Sequence, residues 1–151
     1  MTTRTLQNLI NGELVDAVDG KTSTLVNPST EEEFAQAAVS GHEDVDRAFK
    51  AAATAFETWR DVTPAERQRA LLKLADAMEE RTDEFVRIES ENTGKPLGFT
   101  TIEELPPAID QVRFFAGASR VLEGRSAGQY MAGHTSYVRR EPIGVVVQVT
   151  P

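Results

Sequence analysis

The segment that decides the fold class is Tyr137-Val-Arg-Arg-Glu-Pro-Ile-Gly-Val-Val-Val-Gln-Val-Thr-Pro151. Within it, residues 143–149 are almost continuously apolar and mostly β-branched. A run of this kind is typical of a strand that is covered on both faces, as in a parallel sheet with helices on each side. Ligands of such sheets bind beyond the carboxyl ends of the strands, which here is Thr150-Pro151. One strand does not make a sheet, so the sequence predicts the front part of a longer α/β enzyme.

The composition and the net charge argue against several classes of partner and of chemistry. The 151-residue chain has a formal net charge of −8 and a pI of about 4.8. An acidic surface repels phosphate backbones and anionic lipids, which argues against nucleic-acid and membrane partners. The absence of cysteine excludes disulfides, thiolate metal sites and a thiol nucleophile within this sequence. The first residues lack an apolar signal region and no apolar run approaches about 18 residues, so we expect a cytoplasmic protein.

Residues 7–40 are predicted to form a small edge sheet with no chemistry of its own. Asn11-Gly12 supplies the two positive φ angles that a type I′ hairpin turn needs. Further short strands are expected at residues 24–26, which Asn27-Pro28 ends, and at residues 33–39.

Two helices carry clear start signals. Ser40-Gly-His-Glu43 and Thr63-Pro64-Ala-Glu66 are capping boxes, in which a hydroxyl and a carboxylate satisfy the first free amide hydrogens. The predicted apolar faces are Val45, Phe49, Ala52, Phe56 and Trp59 on the first helix, and Leu71, Leu74, Ala75, Met78, Phe85 and Ile88 on the second. The second helix, at about 28 residues, is long for a globular protein, so we expect a break near residues 81–83. Gly94 is expected to end it.

The third helix is predicted to be irregular at its start. Thr101-Ile-Glu-Glu104 forms another capping box, but Pro106 and Pro107 follow at once. If the helix began at Ile102, the ring of Pro106 would clash with the carbonyl of that residue. Either the first turn is distorted or the regular helix starts near Pro106. Gly124 is expected to end this helix.

A second hairpin is predicted around Ala132-Gly133-His134, with strands at residues 129–131 and 135–140. Because both of its faces are polar, it has little of its own to pack against and is a candidate for pairing with another subunit. His134 is expected to be a turn residue, and His42 lies at a helix start without a second histidine or a cysteine nearby.

The ordered set of motifs resembles the amino-terminal part of an aldehyde dehydrogenase. The motifs are Ile10-Asn11-Gly12-Glu13, Val26-Asn27-Pro28, Glu43-Asp44-Val45-Asp46, Pro64-Ala-Glu-Arg67, Glu91-Asn-Thr-Gly94-Lys95-Pro96, Phe114-Phe115-Ala116-Gly117 and Arg139-Arg140-Glu141-Pro142-Ile143-Gly144-Val145. No single motif is specific, but they occur in the family's order and at its spacing. Residues 113–118 and 130–136, followed by Arg139-Arg140, are similar to the gamma-aminobutyraldehyde dehydrogenase branch, which is related to betaine aldehyde dehydrogenases.

The resemblance implies a division of the chain into three parts. Residues 1–125 would be the β and helical front of an NAD-binding doubly wound domain. Residues 126–142 would be the first piece of an oligomerisation arm, and residues 143–151 the first strand of the dinucleotide-binding sheet. The enzyme would be a homo-oligomer, either a dimer or a tetramer.

The resemblance also implies oxidation of an aldehyde to a carboxylate with NAD⁺. In this chemistry a cysteine thiolate attacks the carbonyl, hydride leaves to the nicotinamide, and a glutamate activates water to release the acyl group. The family's cysteine, glutamate and oxyanion-binding asparagine follow the segment that matches this chain, so it carries no catalytic residue and is expected to be inactive alone.

Eight residues match positions with a role in the family. Val149, Thr150 and Pro151 match the segment lining the cofactor cleft, although a plain strand end would look the same. Glu103, Glu104 and Pro107 match the helix bordering the aldehyde entrance, where a carboxylate could hold the ammonium of an aminoaldehyde. An acidic first helical turn needs no such role. Leu25 and Asn92 match a monovalent-cation site, where several relatives have aspartate in place of Asn92.

Three points remain open: the aldehyde, the cofactor and whether the chain belongs to an enzyme at all. The substrate could be betaine aldehyde or a semialdehyde, and the cofactor could be NADP. The chain could also be a non-catalytic interaction module that dimerises through its second hairpin. The exposed apolar strand at residues 143–149 argues against that alternative, because it would be sticky in solution.

Overall fold

The computed structural model describes residues 4–150, apart from the side chains of residues 126 and 127. The strands are β1 (Arg4–Leu6), β2 (Asn8–Ile10), β3 (Glu13–Val15), β4 (Thr22–Val26), β5 (Glu33–Ala38), β6 (Ser126–Met131) and β7 (His134–Tyr137). The helices are α1 (His42–Trp59), α2 (Pro64–Glu80), α3 (Thr82–Thr93), α4 (Leu97–Phe99) and α5 (Leu105–Ala118), with a π-helical turn at Thr100–Glu104 between α4 and α5. The architecture combines helices with small sheets, as the sequence predicted.

The amino-terminal strands form two small sheets. β5 pairs with β1 in parallel and with β4 in antiparallel, while β2 and β3 form a separate hairpin. Asn11 and Gly12 have φ angles of 55° and 80°, which confirms the predicted positive-φ turn. β1 was not predicted from the sequence, because a three-residue strand that pairs with a segment about 30 residues away leaves no local pattern.

The start of α1 corrects the first predicted capping box. The Asp44 carboxylate, not that of Glu43, accepts the Gly41 amide at 2.9 Å, and Gly41 has no side chain with which to reciprocate. The Ser40 hydroxyl donates instead to Asn8 Oδ1 at 2.9 Å. The predicted apolar face of α1 is not buried either, since Trp59 is 49% exposed and Phe49 is similarly open.

The predicted break in the long second helix is confirmed at Arg81, which separates α2 from α3. The hydrophobic core lies where these helices meet α5 and contains Ala75, Val86, Leu105 and Ile109, with Met78 and Val112 packed against it. Leu74 and Phe85 were predicted to be buried, but both are exposed. In α3 it is Val86, next to Phe85, that is buried.

The capping box at the start of α2 is confirmed. The Glu66 carboxylate accepts the Thr63 amide at 3.0 Å and its hydroxyl at 2.7 Å. The pKa of the Glu66 carboxyl is therefore lowered, first by the hydroxyl and then by the amide of Thr63.

This lowered pKa gives a prediction for pH. A carboxylate whose folded-state pKa is lowered stabilises the fold above its unfolded-state pKa, and this contribution is lost as the pH falls through the folded-state pKa. We expect Glu66→Gln to lower the urea midpoint, followed by circular dichroism, at about pH 7, and we expect this loss to shrink as the pH falls below the ordinary glutamate pKa of about 4.3. Glu80→Gln, at the exposed end of the same helix, is the control. A loss for Glu66→Gln that does not shrink as the pH falls would contradict the capping role.

The prolines of the third helix produce a distorted first turn, which is one of the two predicted outcomes. The π-helical turn at Thr100–Glu104 precedes α5, which begins one residue before Pro106. Neither proline can donate an amide to an α-helical ladder, so a wider turn at this point avoids the clash with the preceding carbonyls. The third predicted capping box does not form, because the Thr101 hydroxyl donates back to the Leu97 carbonyl at 2.7 Å.

The carboxyl-terminal part begins earlier than predicted. α5 ends at Ala118, six residues before Gly124, and the predicted hairpin is confirmed as β6 and β7. Gly124 instead allows a close approach, since a Cβ at this position would lie 2.6 Å from the Val138 carbonyl oxygen. The Val138 amide donates to the Arg125 carbonyl at 2.7 Å, which closes the base of the hairpin.

Residues 143–149 have no regular secondary structure, so the predicted strand is not formed in this structure. Ile143 is 93% exposed and Val149 is 90% exposed. A strand needs a neighbour to satisfy its amides and carbonyls, and none of the seven strands in the described residues pairs with this segment. Its assignment to a dinucleotide-binding sheet, like the division of the chain at residues 125 and 142, stays a prediction.

Candidate functional site

The structure separates the two adjacent glutamates that the sequence analysis proposed for substrate binding. Glu103 and Pro107 are exposed, whereas Glu104 is half-buried at the end of the π-helical turn. Among the described residues, Glu103 forms no ion pair. The two carboxylates therefore differ in their availability to a ligand.

Glu104 is bound by a residue that the sequence analysis did not select. The Lys95 ammonium lies 3.0 Å from Glu104 and 2.9 Å from Glu89 of α3. The hydrogen bond to Glu89 raises the pKa of Lys95 most, followed by the bond to Glu104. Lys95 follows Gly94, whose φ of 76° ends α3 and turns the chain back towards Glu89. The sequence contained the glycine signal, but it gave no sign of which carboxylates the lysine would meet.

A depression of about 200 Å³ lies beside this ion triad. It is lined by Phe85, Ile88, Glu89, Thr100, Glu104, Leu105 and Ala108. Its walls are mainly apolar, and the two carboxylates that bind Lys95 are the only charged groups among them.

The other acidic residue of this helix, Asp110, lies in a separate depression of about 250 Å³ with Arg113. Arg113 joins α5 to α2 through Asp76 at 2.8 Å and Glu79 at 2.6 Å. These two hydrogen bonds, with Asp76 first, raise the pKa of Arg113. The network is a structural link between the two helices that form the core, and it leaves Asp110 outside the Lys95 triad.

A further depression, of about 920 Å³, lies between the α1–α2 junction and residues 138–142. Arg60, Arg67, Arg139 and Arg140 line it together with two acidic and several apolar residues. Arg67 Nη2 donates to the Arg60 carbonyl at 2.9 Å, which caps the end of α1. None of the residues proposed from the sequence lies in this depression.

Two of the three proposed cofactor residues lie in the described part of the chain. Val149 and Thr150 lie in the extended segment and are exposed, and Pro151 lies outside the described residues. Val149 and Thr150 offer a dinucleotide one hydroxyl and backbone groups. Their role in binding the cofactor stays a prediction.

The proposed cation residues occupy neighbouring elements. Leu25 lies in β4 opposite Ala35, and Asn92 lies exposed in the last turn of α3. The loop after β4 reaches the end of α3, since a Cβ on Gly94 would lie 2.9 Å from Pro28 Cγ. In residues 4–150, no three His, Cys, Asp or Glu side chains cluster in a way that could hold a metal. A site made of backbone oxygens is not tested by this observation and stays a prediction.

No helix in the described part of the chain is both long and apolar enough to cross a bilayer.

Comparison with known proteins places these elements in one family. A sequence model described as the aldehyde dehydrogenase family matches residues 15–151. The aldehyde dehydrogenase of Paracoccus denitrificans is 40% identical over 144 residues, which cover 95% of this chain and 28% of the relative. The chain thus spans less than a third of the length of the curated relatives that it matches.

Solved structures agree with the sequence relatives. The NAD⁺ complex of an aldehyde dehydrogenase from Bacillus cereus is similar with a TM-score of 0.88 and 34% identity, covering 93% of this chain and 29% of that chain. An NAD⁺ complex of a betaine aldehyde dehydrogenase double mutant from Staphylococcus aureus has a TM-score of 0.84 and 26% identity, covering 90% of this chain and 27% of that chain. The predicted α/β fold is thereby confirmed, and the chain belongs to the aldehyde dehydrogenase family.

Proposed function

We propose that this chain is the amino-terminal part of an NAD-dependent aldehyde dehydrogenase that oxidises an aminoaldehyde, such as gamma-aminobutyraldehyde, to its carboxylate. The observation that carries this proposal is the family match over residues 15–151, supported by the similarity to NAD⁺ complexes of aldehyde dehydrogenases. The carbonyl chemistry needs a thiolate, and this sequence has no cysteine. The catalytic groups would therefore belong to other parts of the enzyme, and this chain would help to shape the substrate entrance.

When bound to the enzyme, NAD⁺ would accept the hydride. Val149 and Thr150 would lie near it, but the described residues do not form its binding site.

The aminoaldehyde assignment rests on the π-helical turn and on the charge of its exposed glutamate. An aminoaldehyde carries an ammonium group at neutral pH, which a carboxylate can hold by a charge-assisted hydrogen bond. Glu103 is exposed and unpaired among the described residues, whereas Glu104 is occupied by Lys95. We therefore assign the ammonium-binding role to Glu103. Pro107, one helical turn further on, is exposed near the same end of α5 and would line the entrance with an apolar ring.

Betaine aldehyde is the main competing substrate of the same family. Its quaternary ammonium has no N–H donors and is usually recognised by aromatic faces. Glu103 can attract both cations, but it can accept a hydrogen bond only from the primary ammonium.

A charge-neutral variant of Glu103 tests the substrate assignment. In the full-length enzyme that contains this chain, we expect Glu103→Gln to lower the ratio of kcat/KM for gamma-aminobutyraldehyde to kcat/KM for butyraldehyde. A hydrogen bond to a charged group corresponds to roughly a tenfold change or more in this ratio. Steady-state kinetics with the two aldehydes, which differ in the ammonium group, measures it.

The control for this variant is Glu43→Gln. Glu43 is an exposed acidic residue in the first turn of α1, remote in sequence from the π-helical turn. Glu43→Gln changes the net charge by the same amount as Glu103→Gln, and it should leave the kcat/KM ratio of the two aldehydes unchanged. Equal losses for both aldehydes in Glu103→Gln would exclude Glu103 as the ammonium acceptor.

The hairpin of β6 and β7 is proposed to pair with another subunit of a homo-oligomer. Tyr130 and Tyr137 are largely exposed on it. A two-stranded hairpin is marginally stable alone, so a partner would stabilise it.

A further inference from the structure

The geometry points to Lys95 as a specificity-determining residue that masks Glu104 and so limits the attraction of the entrance for cationic aldehydes. This inference rests on the proposed function, because it concerns the same substrate entrance. It assigns a role to a residue that contacts neither a catalytic group nor the proposed acceptor Glu103.

The position of Lys95 is fixed by the chain around it. The Gly94 amide closes α3 on the Ser90 carbonyl at 2.9 Å, and the Lys95 amide donates to the Thr93 hydroxyl at 3.3 Å. The next residue, Pro96, has its carbonyl bound by the amide of Thr100, which is only 3% exposed. Lys95 is therefore held between the end of α3 and the buried start of the π-helical turn, and its side chain reaches Glu89 and Glu104 together.

The ammonium of Lys95 occupies the kind of site that an aminoaldehyde would need. It is a primary ammonium on an alkyl chain, and it lies between two carboxylates beside the apolar depression lined by Phe85, Ile88 and Leu105. With Lys95 present, Glu89 and Glu104 carry one compensating positive charge. Without it, two carboxylates at the edge of an apolar depression would lack a counter-charge, and a cationic ligand would relieve their repulsion.

The consequence for specificity follows from this charge balance. Because Lys95 pairs with Glu104, only the Glu103 carboxylate of this adjacent pair is available to the substrate. Glu104 cannot act as a second carboxylate for the ammonium group. Removal of Lys95 should therefore increase the preference for a cationic aldehyde. If Lys95 only supported the fold, its removal would lower the activity towards all aldehydes.

The test is Lys95→Met in the full-length enzyme, with gamma-aminobutyraldehyde and butyraldehyde as substrates. Methionine keeps much of the length and apolar surface of lysine without its charge. We expect the kcat/KM ratio of the cationic to the neutral aldehyde to rise roughly threefold to tenfold, mainly through a lower KM for the cationic substrate.

Two further variants separate masking from structural support. Lys95→Arg keeps the positive charge and should retain the wild-type ratio. The double variant Lys95→Met with Glu104→Gln removes the unmasked carboxylate and should return the ratio to the wild-type value. A ratio that stays level or falls in Lys95→Met, or that remains raised in the double variant, overturns the masking role.

The outcomes also separate this inference from the proposed function. If Glu103→Gln lowers the ratio and Lys95→Met does not raise it, the masking role is wrong and the aminoaldehyde assignment stands. If Lys95→Met raises the ratio and Glu103→Gln leaves it unchanged, the assignment of Glu103 is wrong and masking of Glu104 stands.

Discussion

Asp44→Ala is expected to lower the free energy of unfolding by about 3 kcal/mol, because it removes two hydrogen bonds to a buried charged group. Asp44 is only 3% exposed. Its carboxylate accepts the Gly41 amide at 2.9 Å and the Val18 amide at 3.0 Å. Alanine would leave both amides without this partner, and it would also remove the cap of α1. Urea denaturation followed by circular dichroism measures the loss.

The matched control for this variant is Asp46→Ala. Asp46 lies two residues further along the same helix, is exposed and makes no ion pair among the described residues. We expect its effect to stay within about 0.5 kcal/mol. Comparable losses for both variants would mean that Asp44 acts only through the charge of the first helical turn.

The contact of Asp44 with Val18 links two parts of the chain that are 26 residues apart. The hydrogen bond holds the loop after β3 against the start of α1. The Asp44 side chain therefore connects the amino-terminal strands to the helices. Thermal unfolding of Asp44→Ala should therefore loosen the β part as well as α1.

Gly94→Ala is expected to destabilise the chain by about 2–4 kcal/mol for two additive reasons. Gly94 has a φ of 76°, which an L-residue with a Cβ adopts only with strain. A Cβ at this position would also lie 2.9 Å from Pro28 Cγ, and the proline ring has little freedom to move away. The same urea experiment measures the loss.

Gly98→Ala serves as the control for Gly94→Ala. Gly98 lies in the short helix α4, its φ is not positive, and a Cβ there would meet nothing within 4 Å. Alanine at this position should be neutral or slightly stabilising, since it restricts the unfolded chain. If both variants lost stability equally, the left-handed backbone of Gly94 and its contact with Pro28 would not be the cause.

The Gly94 variant also bears on function. Gly94 directs Lys95 to Glu89 and Glu104, and it faces the loop that follows the proposed cation residue Leu25. A displaced Lys95 should unmask Glu104 in the full-length enzyme, so Gly94→Ala should shift aldehyde preference in the same direction as Lys95→Met.

Features that depend on a few neighbouring residues were predictable from the sequence. The positive φ angles at Asn11 and Gly12, the cap made by Thr63 and Glu66, and the distortion before Pro106 follow from local backbone sterics and hydrogen bonding. The family was predictable as well, because it is written in the order and spacing of motifs along the whole chain.

Features that depend on the path of the chain were not predictable. The spacing from Ser40 predicted Glu43 as the capping carboxylate, but in the fold Asp44 accepts both the Gly41 amide and the amide of Val18, 26 residues away. Likewise, Glu103 and Glu104 are adjacent and chemically alike, yet only Glu104 meets Lys95. Residues 143–149 have every local property of a strand, but they form none here because a strand also needs a neighbour.

The sequence by itself determined the family, the turns and most helix limits, since these follow from interactions within a few residues or from motif order. Tertiary structure decided which carboxylate caps α1, which glutamate remains available to a ligand, and which apolar residues are buried. The physical reason is that hydrogen bonds, ion pairs and burial depend on distances in space, and residues with the same local pattern can lie at very different distances from their partners.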